Sequence, residues 1–246
     1  VGEVRSYRSL FRQADLVHFE VVVRETDLSI GIRREAFSEA LVRRTSAFVR
    51  GLRSSLEAYV ADDPEFVAAL VPHVPDPGAP PIALDMAKAA AAAGVGPMAA
   101  VAGAFAHYTG RLLSRHSRDV IVENGGDIYL KTSVRRTVGI YAGGSPFSHR
   151  LAVEVQPFQS PLGICTSSGT VGPSLSFGRA DAVVILSPSP LTADAAATAV
   201  GNRVQGPEDV EEAARLAGEL EGVTGAVVIV GDRLAAWGEV KLVPLD

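Results

Sequence analysis

Apolar residues first alternate with polar ones, and then recur at helical spacing. Val17–Val23 (Val-His-Phe-Glu-Val-Val-Val) and Leu28–Ile32 read as strands, separated by the turn-like Arg24-Glu25-Thr26-Asp27. From Glu35 to about Ala61 the pattern changes. Phe37, Leu41, Phe48, Leu52, Leu56 and Tyr59 recur at intervals of three, four or seven among arginines and glutamates, which predicts an amphipathic helix. A short helix over Pro64–Leu70 follows the turn Ala61-Asp62-Asp63. Val71–Pro81, with five prolines, reads as a connection within one domain. Two alanine-rich helices then meet at Gly94-Val95-Gly96-Pro97. Pro97 suits a first helical position, and the second helix runs to about Ser114.

Beyond Arg118 strands dominate. Asp119–Glu123, Asp127–Lys131, Arg136–Tyr141 and Leu151–Val155 are β-rich. Gly163–Thr170, dense in Ser, Thr and Gly and extending through Gly172-Pro173, reads as a loop. Ala182–Leu186 is a buried-type strand. It feeds a helix over Leu191–Val200 with Thr192 as its N-cap, after the entry Ser187-Pro188-Ser189-Pro190. A helix over Pro207–Leu220 and strands over Ala226–Val230, Leu234–Trp237 and Val240–Val243 complete the chain. No repeat period emerges. The succession predicts an α+β fold: one domain over residues 1–246, with mixed β-sheets and alanine-rich helices packed between them.

Composition narrows the partners. The 246 residues carry 23 basic and 28 acidic side chains, a net charge of −5, and the lysines and arginines are scattered. This argues against broad nucleic-acid binding, while a local anion pocket remains compatible. Cys165 is the sole cysteine, so neither an intramolecular disulfide nor a Cys-x-x-Cys metal site can form. No apolar run reaches the roughly 20 residues of a membrane span. Gly94, Gly96, Pro97 and Gly103 interrupt the longest alanine-rich stretch, Ala89–Ala106, and Val1–Arg12 has no apolar signal core. The expectation is a soluble cytoplasmic protein with a small-molecule ligand and no nucleic-acid or membrane partner. Homo-oligomer formation stays open.

Candidate chemistry comes in small constellations. Asp194 and Thr198 are four apart, so on a helix their oxygens share one face among small alanines. That pair suits Mg²⁺, which takes a few protein oxygens and completes its shell with phosphate or water. Equally, an acid in a first turn complements the helix dipole. Asn124-Gly125-Gly126-Asp127 is a strong hairpin signal. The same paired glycines would let the backbone approach a ring or phosphate with its amides donating. The Gly163–Thr170 segment offers hydroxyls and amides for a pyrophosphate or ribose, a composition that surface loops also have. Nothing near Cys165 lowers its pKa. His18 reads as a half-exposed strand residue.

In order, these pieces resemble the ApbE superfamily, whose best-known members are Mg²⁺-dependent flavin transferases. Met98–Ala106 resembles the family's Leu-Gly-Gly-Ile-Ala-Lys-Gly-Tyr-Ala helix, and Val122–Ile128 its Asn-x-Gly-Gly-Asp turn. Gly163–Gly169 resembles its Gly-Ile-Ser-Thr-Ser-Gly loop, and Ala193–Ala199 its Ala-Asp-Ala-Leu-Ala-Thr-Ala helix. Arg24–Leu28 and Gly94–Ala100 look more like an uncharacterised branch of that superfamily than like the transferases. The resemblance implies a Mg²⁺ site at Ala102, Asp194 and Thr198, with the Ala197 carbonyl nearby. It implies FAD or FMN contacts at Asn124, Gly125, Gly126 and Asp127 and at Thr166, Ser167, Ser168 and Gly169. Bound there, Mg²⁺ would neutralise a diphosphate and polarise the bond that breaks.

The departures are specific. The family's Lys in Ala-Lys-Gly-Tyr is Gly103 here, and its following Asp is Tyr108. No His-Ile-x-Asp-Pro segment stands between Thr170 and Ser187, so the expected base is missing. His149 and His107 are the substitutes the sequence offers, each with a structural or solvent-facing alternative. Two functions follow as expectations. One is binding, with transfer, of a flavin or other nucleotide diphosphate with Mg²⁺; the other is a non-catalytic binding or assembly protein that retains the fold.

Overall fold

The computed structural model describes Arg8, residues 13–170 and residues 177–245. The rest of the Val1–Arg12 stretch, and Gly172-Pro173 at the end of the Ser/Thr/Gly-rich segment, lie outside the described residues.

The first hairpin joins β1 (Leu16–Val23) to β2 (Thr26–Arg33) through Arg24 and Glu25. The long amphipathic helix is α1 (Glu39–Asp62). It starts where the Ser38 hydroxyl accepts the Leu41 amide at 3.2 Å, a few residues later than the apolar period suggests. Asp63 closes it and caps α2 (Pro64–Ala68), and the proline-rich connection leads to α3 (Pro81–Ala93). A single 3-10 turn over Pro97–Ala100 then enters α4 (Val101–Leu113).

The strand-rich half follows with β3 (Val120–Asn124), β4 (Asp127–Lys131), β5 (Arg136–Gly139), β6 (Leu151–Val155), β7 (Leu162–Ser167) and β8 (Ala182–Ser187). Helix α5 (Pro190–Gly201) and helix α6 (Val210–Ala217) precede β9 (Gly225–Val230), β10 (Arg233–Gly238) and β11 (Leu242–Pro244).

Three layers result. An eight-stranded sheet runs in the order β1-β2-β3-β4-β7-β8-β9-β10, and a three-stranded sheet runs β11-β6-β5. Period-two alternation sorts the large sheet's side chains. Leu28, Ile30, Ile32, Val120, Val122 and Tyr129 face helices α1, α3 and α4. Cys165, Val183, Ile185, Ala226 and Val228 face α5 and α6. On the opposite face Ile128, Leu130, Ile164, Val184, Leu186 and Ile229 pack against Val138, Val153 and Val155 of the small sheet. Among the described residues no single helix is long and apolar enough to cross a membrane.

The α+β architecture is as expected, with three corrections. Every strand pair among the described residues is antiparallel, not mixed. Between β8 and β9, for example, two helices return the chain to the end it left, so the strands oppose. Gly163–Ser167 is not loop but most of β7, hydrogen-bonded on both sides to β4 and β8. Its glycine answers to packing: a Cβ on Gly163 would lie 2.6 Å from Pro190 Cα, so α5 can approach only a bare backbone. Finally, Ser189 and not Thr192 caps α5, accepting the Thr192 amide at 3.4 Å. Pro190 has no N–H to satisfy and suits the first helical position, which starts the helix earlier.

Candidate functional site

The β3–β4 hairpin, the end of β7 and the first turns of α4 and α5 converge on the helical face of the large sheet. Asn124 pairs with Asp127 around a two-glycine turn with φ of +68° at Gly125 and +108° at Gly126. These positive values are the reason for the glycines, since a type I′ turn needs them at both positions. The hairpin reading therefore holds. No neighbouring atom lies within 4 Å of a Cβ built on Gly125, so one side of the turn is open. The Gly126 amide donates to Glu123 Oε1 at 2.9 Å, which leaves that N–H committed within the protein.

Alternation along β3 and β4 directs Asn124 and Asp127 toward the helices. Asn124 Nδ2 donates to the Ala102 carbonyl at 3.1 Å, tying the hairpin to the first turn of α4. The ladder pairing Ile128 with Ile164 sets Asp127 beside Cys165 one step further on. Asp127 is buried, and its Oδ1 has no hydrogen-bond partner. Burial pushes its carboxyl well above the usual carboxylate range. The negative Glu123 adds to this, against opposing contributions from Cys165 and the Thr166 backbone.

Asp194 reaches the same corner from α5. Its Oδ2 accepts the Gly103 amide at 2.8 Å. Ala100, the N-cap position of α4, has no side chain able to accept, so Asp194 caps α4 from another helix. Asp194 lies past the first turn of α5, so the dipole reading for its own helix does not hold; what it closes by hydrogen bonding is the start of α4. Burial and then the Asp127 charge push the Asp194 carboxyl far up, and the amides of Gly103 and Ala102 offset only part of this. The helices meet closely because Gly103 has no side chain: a Cβ there would lie 2.3 Å from the Pro190 carbonyl oxygen.

The other sequence-derived candidates distribute as follows. Thr198 is half-buried one turn beyond Asp194 on the same face of α5, and Ala197 is buried beside it. Thr166 lies against Gly126, within 3.9 Å of a Cβ built there, which brings the hairpin and the end of β7 together. Ser167 borders Gly201 near the end of α5. Ser168 and Gly169 turn away from β7 and are held by their own neighbourhood: Gly169 N donates to the Ala180 carbonyl at 2.9 Å, and Ser168 Oγ accepts the Thr170 amide at 3.1 Å. The Cys165 thiol is buried, donates to the Pro190 carbonyl at 3.3 Å, and is pushed up by burial and by Asp127 and Asp194. A thiol so placed is a poor nucleophile.

Neither histidine candidate contacts the two carboxylates. His149 is exposed, with φ +58°, in the β5–β6 connection of the small sheet, across the large sheet from α4 and α5. His107 sits on α4 with its ring against Tyr108 and Tyr129 and a buried, unpartnered Nδ1; burial lowers its pKa. His18 is the half-buried strand residue expected, leaning over Gly31 with its Nε2 3.1 Å from the Gln13 carbonyl oxygen. Glu123 is the participant that sequence reasoning missed. Its only sequence signal is its position before Asn124, where alternation sends it to the opposite face.

Residues 8–229 match the family described as "AbpE bacteria". Proteins named UPF0280 protein are similar over most of the chain. The one from Methanothrix thermoacetophila is 45% identical over 190 residues, covering 76% of this chain and 79% of its own length. The one from Methanosarcina acetivorans is 42% identical over 225 residues, covering 91% and 86%. Among solved structures, the flavin transferase ApbE from Vibrio cholerae superposes with a TM-score of 0.52 at 15% identity, covering 92% of this chain and 97% of that one. The ApbE protein from Thermotoga maritima gives 0.55 at 12%, covering 91% and 97%. At such identities the likeness is one of fold.

Proposed function

Because the chain belongs to the ApbE family, in the branch of the UPF0280 proteins, we propose that it binds a flavin nucleotide or another nucleotide diphosphate together with Mg²⁺ at the corner shared by the β3–β4 hairpin, β7, α4 and α5. The observation that carries this reading is the convergence of two carboxylates, Asp127 from the sheet and Asp194 from a helix. Burial disfavours the charge of both, Asp127 raises Asp194 further, and Asp127 Oδ1 has no donor. A divalent cation in such a corner stabilises both charges at once.

The donor set fits the metal. The Ala102 carbonyl accepts from Asn124 and sits in the first turn of α4, so a metal there would share it with those bonds. Asp194 supplies a carboxylate and Thr198 a hydroxyl, with the Ala197 carbonyl alongside: all hard oxygen donors of the type Mg²⁺ prefers. Bound there, the ion would neutralise a diphosphate and act as a Lewis acid on it. The chain's own residues do the rest. The open side of Gly125 admits a flat or anionic group, Asn124 holds the hairpin to α4, and Thr166 and Ser167 line the adjoining strand end.

A second reading, a binding or assembly protein without transfer chemistry, is favoured by the positions of His149 and His107. Group transfer needs a base within hydrogen-bond reach of the nucleophile. His149 lies in the small-sheet layer, and the His107 ring is packed against two tyrosines.

Isothermal calorimetry with FAD, FMN and ADP, each with and without Mg²⁺, tests the binding. Metal-dependent heat with at least one of them is the expected result. No heat and no thermal shift with any would overturn the reading. Flavin binding without turnover toward hydroxyl acceptors would select the non-catalytic version.

A further inference from the structure

The Gly125–Gly126 turn is built from the two most permissive residues available, yet a ligand site at its tip needs one conformation. Its ladder ends at Asn124 and Asp127, and the Gly126 N–H points outside that ladder, to Glu123 Oε1 at 2.9 Å. The other Glu123 oxygen, Oε2, accepts Arg8 Nε at 2.6 Å. The same guanidinium donates through Nη1 to Asp27 Oδ1 at 2.9 Å and through Nη2 to the Asp27 carbonyl at 2.7 Å. Asp27 lies at the start of β2, next to Leu28, which pairs with Asn124. One planar cation therefore joins the start of β2, the last turn-facing acid of β3 and, through that acid, the turn itself. Both charged side chains are largely shielded, at 10% and 9% exposure, where hydrogen bonds between charges are strong and an unpaired charge is costly.

We propose that Arg8 and Glu123 are positioning residues that lock the Gly125–Gly126 turn, and through it Asn124 and Asp127, in the geometry that receives the ligand. The part concerning the ligand rests on the binding function proposed above. Glu123 and Arg8 lie on the sheet face opposite Asp127 and Asn124, so they touch neither the nucleotide nor the metal. Their effect passes through the backbone of the turn. Without Arg8, the Glu123 carboxylate loses its bond to Nε and, through it, its tie to Asp27, and its hold on the Gly126 amide slackens. The ladder below the turn keeps its pairing, since Arg8 belongs to none of its strands.

The test uses the full chain and three variants, Arg8→Met, Arg8→Lys and Glu123→Gln, with two readouts. Amide hydrogen exchange at Gly126, followed by NMR, reports the lock without any ligand. Calorimetry with Mg²⁺ and FAD, FMN or ADP reports its consequence. R8M is expected to exchange at Gly126 tenfold faster or more, to bind about tenfold more weakly, and to melt at a lower temperature because Glu123 and Asp27 lose a shielded partner. R8K keeps the charge without the fork and falls between R8M and wild type. E123Q keeps an acceptor for Gly126 and retains more of the protection than R8M does. Unchanged Gly126 exchange in R8M overturns the lock. Faster exchange with undiminished affinity overturns its bearing on the ligand. If the wild-type protein binds none of the three nucleotides, the binding function fails, and the exchange data alone still decide whether Arg8 holds the turn.

Discussion

Asp194, on α5, accepts the backbone N–H of Gly103, on α4, at 2.8 Å, and so closes the first turn of a helix to which it does not belong. The pairing needs both residues. Any side chain at Gly103 would strike the Pro190 carbonyl, and without Asp194 the amides at the start of α4 would lack their acceptor. The same carboxylate lies near Asp127, so its structural and proposed metal-binding roles pull in opposite directions.

That opposition gives Asp194→Asn a distinctive signature. The amide oxygen still accepts from Gly103, while the charge that repels Asp127 is gone. Urea denaturation of the apo protein should show D194N at least as stable as wild type. Its Mg²⁺-dependent nucleotide affinity should fall tenfold or more, about 1.4 kcal/mol. Thr198→Val should weaken metal-dependent binding in the same direction. A D194N protein that binds Mg²⁺ and nucleotide like wild type would remove Asp194 from the metal site.

Gly103→Ala is expected to destabilise the fold by about 1–3 kcal/mol, the usual cost of forcing an atom into a packed contact. The new Cβ would lie 2.3 Å from Pro190 O and 2.9 Å from Asp194 Cβ, so α4 and α5 must separate. Chemical denaturation measures it. A change below a few tenths of a kcal/mol would show that the close approach is dispensable.

Asp119 gives the stability of this fold an acid limit. Its fully buried carboxylate accepts from Ser133 N and Arg33 Nε, from Ser133 Oγ at 3.0 Å and from Thr132 Oγ1 at 3.1 Å. Burial alone would raise its pKa, but these donors outweigh it and hold the group below the usual carboxylate range. A folded pKa below the unfolded value of about 3.9 means stabilisation that is complete above that value and lost as pH falls through the folded pKa. The stability difference between wild type and Asp119→Asn should therefore be constant near neutrality and shrink below about pH 4. Urea titrations at stepped pH read this directly. A difference independent of pH down to acid unfolding would contradict it.

The whole chain is proposed to behave as one domain despite the proline-rich segment at 71–80. Strand β2 precedes that segment and pairs with β3 after it, from Leu28 with Asn124 to Ile32 with Val120. Limited proteolysis that nicks the exposed stretch around Val71 and Val74 should leave two fragments that co-elute in native gel filtration. Separation into two independently folded pieces would refute the single domain.

By itself the sequence determined what depends on neighbours along the chain. The apolar period of α1, the alternation in β2, the buried-type run of β8 and the positive-φ turn at Gly125-Gly126 follow from local sterics and solvation, and each lies within a few residues of where the pattern put it. What needed the tertiary structure depends on distant partners. Gly163–Ser167 carries the composition of a loop, yet β4 and β8 supply pairing on both edges and make it a central strand. Asp127 and Asp194 come together only because the register of β4 against β7 and the glycine-permitted approach of α5 to α4 bring them to one corner. Arg8 and Glu123 stand far apart in the chain, and nothing in the sequence pairs them. A charge pair of that kind is selected by which surfaces meet on folding, and local preferences carry no information about that.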